Sequence, residues 1–475
     1  MSFFNNQPAT SAFGEALSVS PFPVAQILGT GGLNGQTLTF TNATGTATND
    51  GSEYIVSTGT NAAAFASIIT KRILPYRPGE GSNAKLTARF TTGVADSQQI
   101  AGVNNSTDGF NFGYQNDLFG IIYRHDGINE IQELQVTTPA AGAENATITI
   151  DGTGYTVPLT AGTVQHNADE IAISLNAQVP NYSFTQNDDT VVAVDLVAEV
   201  VAGAFAFTSA TAVAAWTQIR VGVMPTETFI AQTTWNQDTF AELIPTNGNV
   251  YMIQWQYLGY GDIDFFIERK GTKELVLVHR IEYANSFTQP SVTNPAFGLG
   301  WNVSNRGNTT DLVVAGASAG AFTEGFHVIT EPAAAQTNTL VSAGLVQTPI
   351  LSLRNRLVNG ADMRNLAELE PIFITGFTDS SKGALLQIVT NGTLTGADWA
   401  YVDKTSSITE LDTSATAVTG GETIDVAIPP TGSETLDMTK LNYILQSNDT
   451  VTITGAVIAA PAADITSTII YQEDL

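Results

Sequence analysis

An all-β protein is predicted: a jelly-roll or concanavalin-like β-sandwich with an inserted small α+β module and a C-terminal β-sandwich domain. Three observations lead there. Apolar and polar residues alternate with period two, as where Tyr251, Ile253, Trp255 and Tyr257 oppose Gln254 and Gln256. Turn formers recur at short intervals, with 42 glycines in 475 residues. Charged residues make up only 13%, against ~25% in ordinary domains, and Thr, Asn, Ser and Gln supply the remaining polar surface. At ~150 residues per domain, the length points to about three domains.

Residues 1–70 are rich in Gly, Thr and Asn and weakly periodic. They are expected to form an N-terminal arm and the first strands, with the arm reaching into a neighbouring subunit. Residues 71–133 together with 229–330 carry the strands of a discontinuous jelly-roll sandwich, among them "AKLTARFTT" and "FGIIYRHDG". Between these, Phe110, Phe112, Tyr114 and Phe119 alternate with glycines, which suits strands crossing closely in a sandwich. "VYMIQWQYLG" and "DIDFFIE" continue the alternation, and "ERKGTKE" turns the chain at Gly271 into "LVLVHRIEY", a β-hairpin.

Residues 134–228 read as an inserted module. "ATITIDGTGYTVPL" forms a hairpin over Asp151–Gly154, and "NADEIAISL" forms a helix with Asn167 as N-cap and Glu170 at N3. Its inner face is Ala168, Ile171, Ala172 and Leu175. A C-terminal β domain is expected over 345–475, with a hairpin turn at Asn391–Gly392.

The balance of 18 Lys+Arg against 45 Asp+Glu gives a net charge of −27. Phosphate backbones and anionic membranes both require basic surface, so neither nucleic acid nor membrane is an expected partner. There is no cysteine, hence no disulfide framework and no thiolate chemistry. "MSFFNNQPATSAFGEALSV" lacks the basic and apolar regions of a signal peptide, so synthesis in a cytoplasm is expected.

The residues with chemical potential are few. Asp262, Asp264 and Glu268 sit on one predicted strand, where neighbouring carboxylates on one face suit glycoside hydrolysis. Their spacing departs from the alternating acid pattern of jelly-roll glucanases, and Glu268 runs into a turn. They are therefore assigned to a solvated face, and no catalytic residue is expected. The histidines His125, His166, His279 and His327 show no metal-ligand spacing, and His279 lies on an apolar stripe as a core residue. No metal site is expected beyond a structural Ca²⁺ between loops, for which "QNDDT" and "NQDTF" offer oxygens. Arg72, Arg77 and Arg89 cluster in a cation-poor chain and are candidates for inter-subunit contacts.

The stretches "PYRPGEGSNAKLTARFTTGVADSQQIAGV", "DGFNFGYQNDLFGIIYRHDG", "GNVYMIQWQYLGYGDIDFFIE" and "VHRIEYANSFTQPSVTNPAFGLGW" resemble virion structural proteins of large algal and protist DNA viruses and of marine tailed phages. The likeness spans about residues 70–330, and "NATITIDGTGYTVPL" looks like the small module such proteins insert. The resemblance implies a non-enzymatic capsid, spike, fibre or tail component located in the virion. Its expected partners are copies of itself, as a trimer or symmetric array, and other virion proteins. A second reading is a receptor-binding protein that stacks host-surface glycan on Trp235, Trp255, Tyr257 and Tyr260. A jelly-roll glycoside hydrolase is the third.

Overall fold

The computed structural model describes residues 22–196, 205–325, 332–337, 341–379, 383–427, 432–440, 443–459 and 461–474. It is almost entirely antiparallel β-structure, in two compact units drawn from Met1–Ile128 with Met224–His327 and from Asn129–Val223 with Val328–Leu475. His327 lies outside the described residues, as do residues 1–21 of the expected N-terminal segment 1–70.

In the first unit one sheet runs in the order Thr226–Ala231, Leu118–His125, Gly109–Gln115, Ser97–Asn104, Gly298–Asn305, Phe65–Thr70, Thr37–Asn42. The facing sheet begins at the expected hairpin, with Leu275–Ile281, Ile263–Glu268, Asn249–Trp255 and Ser82–Phe90 side by side. The period-two alternation decides which residues enter the core. Phe112 of one sheet meets Tyr251 and Phe265 of the other at ring-centroid distances of 4.7 and 5.4 Å. Ile253, Ile263 and Ile267 fill the same layer. Burying such side chains contributes about 1.5–3 kcal/mol each. Trp301, fully buried, donates its indole N–H to the Thr87 carbonyl at 2.9 Å, which satisfies its one polar atom.

Within the second unit, a four-stranded sheet runs Tyr182–Asn187, Thr190–Asp195, Ile131–Thr138, Val213–Arg220. The hairpin expected at Asp151 forms, with Asp151 and Gly152 at φ 50° and 78° in a two-residue turn. The helix spans Val164–Gln178, and Ala168, Ile171, Ala172 and Leu175 are buried as the pattern predicts. Its start differs from expectation. Thr163 is the N-cap, its hydroxyl accepting the His166 N–H at 3.1 Å. Asn167 is instead buried inside the first turns, accepting the Ala140 N–H at 2.7 Å and donating to Thr160 O and Glu170. A side chain used that way cannot cap.

The remaining strands of this unit form a sandwich. Its six-stranded sheet centres on Thr348–Asn355, Thr450–Val457 and Ala384–Thr390, and its five-stranded sheet on Glu368–Thr378 and Ala463–Asp474. Leu353, Ile388 and Ile453 from one sheet pack with Ile374 and Ile469 from the other. The hairpin expected at Asn391–Gly392 is absent. Asn391 takes φ 52°, but its N–H donates to Thr450 O and its side chain accepts the Thr450 N–H, so the chain leaves the sheet there. Thr393–Thr395 pairs with Ala417–Thr419 in a separate ribbon. Tertiary hydrogen bonds outweigh the local turn preference.

Module and sandwich in this second unit are joined by polar side chains. Arg354 lies over the Trp399 ring at 4.3 Å and pairs with Glu410, whose other oxygen accepts from Asn187 at 2.7 Å. Trp399 O accepts the Asp188 N–H at 3.1 Å.

Candidate contact site at the tyrosine-lined end of the first sandwich

Two connections at one end of the first unit are held unusually firmly. The shorter, after Trp255, turns through Leu258 and Gly259 at φ 36° and 81°. A Cβ on Gly261 would sit 1.7 Å from the Gln256 carbonyl oxygen, so only glycine fits that approach. The longer runs from Tyr283 to Phe297 and has no regular structure, so its backbone groups need partners from elsewhere.

Tyrosine hydroxyls supply them. Tyr260 donates to Thr288 O at 3.3 Å, and Tyr283 reaches both Gln289 O at 3.0 Å and Pro290 O at 3.2 Å. Tyr123 donates to Ser291 O, and Tyr257 to Val292 O at 2.8 Å. Five successive carbonyls thus lie on four phenols. Asp108, fully buried, continues the pattern by accepting the N–H groups of Thr293 and Asn294 at 2.9 and 3.1 Å. Asn105 then donates to Asn294 O and Ala296 O. Burial pushes the Tyr257 hydroxyl up to about 12, and burial raises Tyr123 as well, so both remain protonated donors.

Apolar groups are presented outward on this frame. Leu258, Tyr260 and Phe287 are 55%, 44% and 53% exposed. Phe287 stacks on Tyr283 with centroids 4.2 Å apart and planes at 18°. On the Tyr123 side, His125 stacks on the Tyr123 ring at 4.5 Å and pairs with Asp126 at 2.7 Å. The arrangement offers exposed apolar and aromatic surface on a hydrogen-bonded backbone.

The predicted residues separate sharply. Tyr260 is exposed at this end, and Tyr257 is half-buried against Tyr76 with edge-on rings 4.8 Å apart. Trp235 and Trp255 require correction, because at 5% and 2% exposure they are core residues. Phe112 and Phe119 pack on Trp235, and Phe110 and Phe297 on Trp255, so neither indole has a face for a sugar ring. Arg89 is held within its own chain by Glu53 at 2.7 Å, while Arg72 and Arg77 are half-buried.

Asp262, Asp264 and Glu268 are half-buried rather than fully solvated. Asp264 forms a two-armed pair with Arg280 on the next strand, both contacts at 2.6 Å, and Asp262 accepts the N–H groups of Tyr283 and Ala284. His279 is buried and accepts the Asn236 N–H at 3.2 Å, and burial lowers its pKa. In the two acidic loops, Asp188 is bound by Gln165, Asp189 by Gln135, and Asp238 by Phe240 N and Arg269. Among the described residues no three His, Asp or Glu side chains come together as a metal site. Sequence reasoning missed Tyr123, Tyr283, Phe287 and Asp108, whose roles arise from contacts between distant segments.

No family model matches the chain, and no curated protein matches it. Among solved structures, it is similar to the metal-free carbohydrate recognition domain of Emp46p (TM-score 0.24, 8% identity, covering 62% of this chain and 89% of that one). It is also similar to a legume lectin-like domain from Entamoeba histolytica (TM-score 0.24, 8% identity, 60% and 89%). A third is a structure described as the triple jelly roll fold and turret assembly in an archaeal virus (TM-score 0.19, 8% identity, 96% and 92%). TM-scores this low carry no functional argument.

Proposed function

We propose that this chain is a non-enzymatic structural protein of a virus particle, self-associating at the particle surface and using the tyrosine-lined end of its first unit for contact. The observation that carries the contact role is the coincidence of exposed Leu258, Tyr260 and Phe287 with connections whose backbone is fixed by Tyr123, Tyr257 and Tyr283. A backbone held by these bonds has little conformational freedom left to lose on binding. The particle location is supported by the sequence resemblance over residues 70–330, and self-association by the low ionic content of the β surfaces. Averaged electron micrographs and mass photometry of the purified chain test the reading. Regular assemblies are expected, and a single-copy protein at all concentrations overturns it.

A second reading, glycan binding, is favoured by the free faces of Tyr260 and Phe287, since ring faces stack on sugars. Glycan-array binding abolished by Tyr260→Ala and Phe287→Ala would establish it. Absence of glycan affinity in an assembling protein would remove it.

A further inference from the structure

We propose that the strand Val213–Arg220 is an association edge, to which a second copy of this chain adds its own Val213–Arg220 antiparallel across a two-fold axis. The proposal rests on the self-association inferred above and assigns it a surface.

Among the described residues, Val213–Arg220 is the last strand of its four-stranded sheet and pairs only with Ile131–Thr138. Among the described residues, the one further bond to its backbone is from the Thr137 hydroxyl to Val213 O at 3.3 Å. Its sequence, VAAWTQIR, contains no carboxylate, no proline and no glycine. Ala215 and Thr217 face solvent, and the valines at its two ends, Val213 and Val221, are 53% and 55% exposed. A row of unpaired backbone N–H and C=O groups on such a strand is a template for another strand.

Three other sheet edges are guarded. The edge of Leu275–Ile281 is closed by backbone bonds from Gln237 and Asp238 to Val278 O and by the Asn236 side chain on Arg280. That of Tyr182–Asn187 is covered by Arg354 on Gln186 O and by Trp399. Thr153–Leu159 carries Pro158, and Gln178 occupies Thr156 O at 3.1 Å. Among the described residues Val213–Arg220 has none of these protections, and the Phe205 ring that meets Trp216 at 4.8 Å is a side-chain contact.

Charge selects the occupant. In a chain of net charge −27, carboxylate-rich surfaces repel a second copy. Here the only charged side chain is Arg220, already engaged by the carbonyls of Asp362 at 2.8 Å and Ala361 at 3.4 Å. An axis at Trp216 sets that residue opposite its own copy, Ala215 opposite Thr217, Val213 opposite Ile219 and Ala212 opposite Arg220. The exposed Val213 of each copy then meets Val221 of the other on the diagonal, and no like charges face one another. The result is a closed, isologous pair with one continuous sheet.

The test compares the full-length chain with an Ala215→Lys/Thr217→Lys double variant by sedimentation and mass photometry, with Ile173→Lys on the exposed helix surface as control. The wild type is expected to form even-numbered species. Opposed lysines should raise its dissociation constant by more than ~10-fold, while the control and the melting temperature stay unchanged. If the wild type associates and the double variant associates equally, the edge is the wrong surface and self-association stands. A wild type that remains a single copy overturns both. Should the variant misfold, hydrogen exchange on the wild type decides: amides of Val213–Arg220 must become slower as concentration rises, and concentration-independent exchange overturns the proposal.

Discussion

Arg354 donates its Nε–H to Glu410 across 2.7 Å with the two side chains only 7% and 4% exposed. Such a pair contributes modestly to net stability, because desolvating both charges offsets their attraction, but breaking it leaves one charge stranded. Glu410→Ala should therefore destabilise the second unit by about 3–5 kcal/mol. The Arg354→Met/Glu410→Leu double variant should lose much less. Denaturant unfolding of the three proteins checks the order.

The phenol of Tyr257 donates to the Val292 carbonyl at 2.8 Å. Tyr257→Phe keeps the ring contact with Tyr76 and removes only the hydroxyl. It should cost about 1–2 kcal/mol and speed proteolytic cleavage between Phe287 and Val292, read by limited digestion and mass spectrometry. An unchanged cleavage rate would show that the remaining tyrosines suffice to hold the segment.

Asp169, on the inserted helix, has its carboxyl pushed up to about 6, first by burial and further by Asp412 and Glu170, against the pull of Arg354 and His166. A carboxyl whose folded pKa lies above its unfolded value binds protons more tightly when folded. Its stabilising contribution is thus present below the unfolded value near 3.8 and is lost as pH rises through about 6. Asp169→Asn should gain about 1–2 kcal/mol over the wild type at pH 8, a difference that shrinks towards pH 4. Melting curves of both proteins across that range measure it.

Gly316 faces the Trp301 indole. A Cβ there would lie 2.4 Å from the indole nitrogen and 2.3 Å from Thr87 O, the acceptor of that same nitrogen. Gly316→Ala must displace either a buried ring or a strand backbone, so a loss of about 2–4 kcal/mol is expected. Near-ultraviolet circular dichroism, which reports the indole environment, should change with it.

Much of the first unit was legible because alternation survives folding. Tyr251, Ile253, Ile263, Phe265 and Ile267 could be assigned to one buried face from spacing alone. Trp255 belonged to that same stripe, and reading it as a sugar platform set aside the pattern that places it inside. Asn391–Gly392 misled because a local turn preference was overruled by Thr450, 59 residues away in sequence. The contact site was the least legible part. Its defining bonds join Tyr260 to Thr288 across 28 residues and Tyr123 to Ser291 across 168, and no periodicity encodes a hydroxyl meeting a particular carbonyl.

The order in which the two units are threaded governs how the protein emerges from a ribosome. Synthesis passes from the first unit to the second after Ile128, back after Val223, and forward again after Ile128's partner segment ends at His327. Strand Ser97–Asn104 must therefore wait for Gly298–Asn305, its antiparallel neighbour, while the whole intervening module is translated. Neither half can be excised as an uninterrupted gene fragment, and a nascent chain arrested before residue 298 exposes an unfinished sheet to chaperones and proteases.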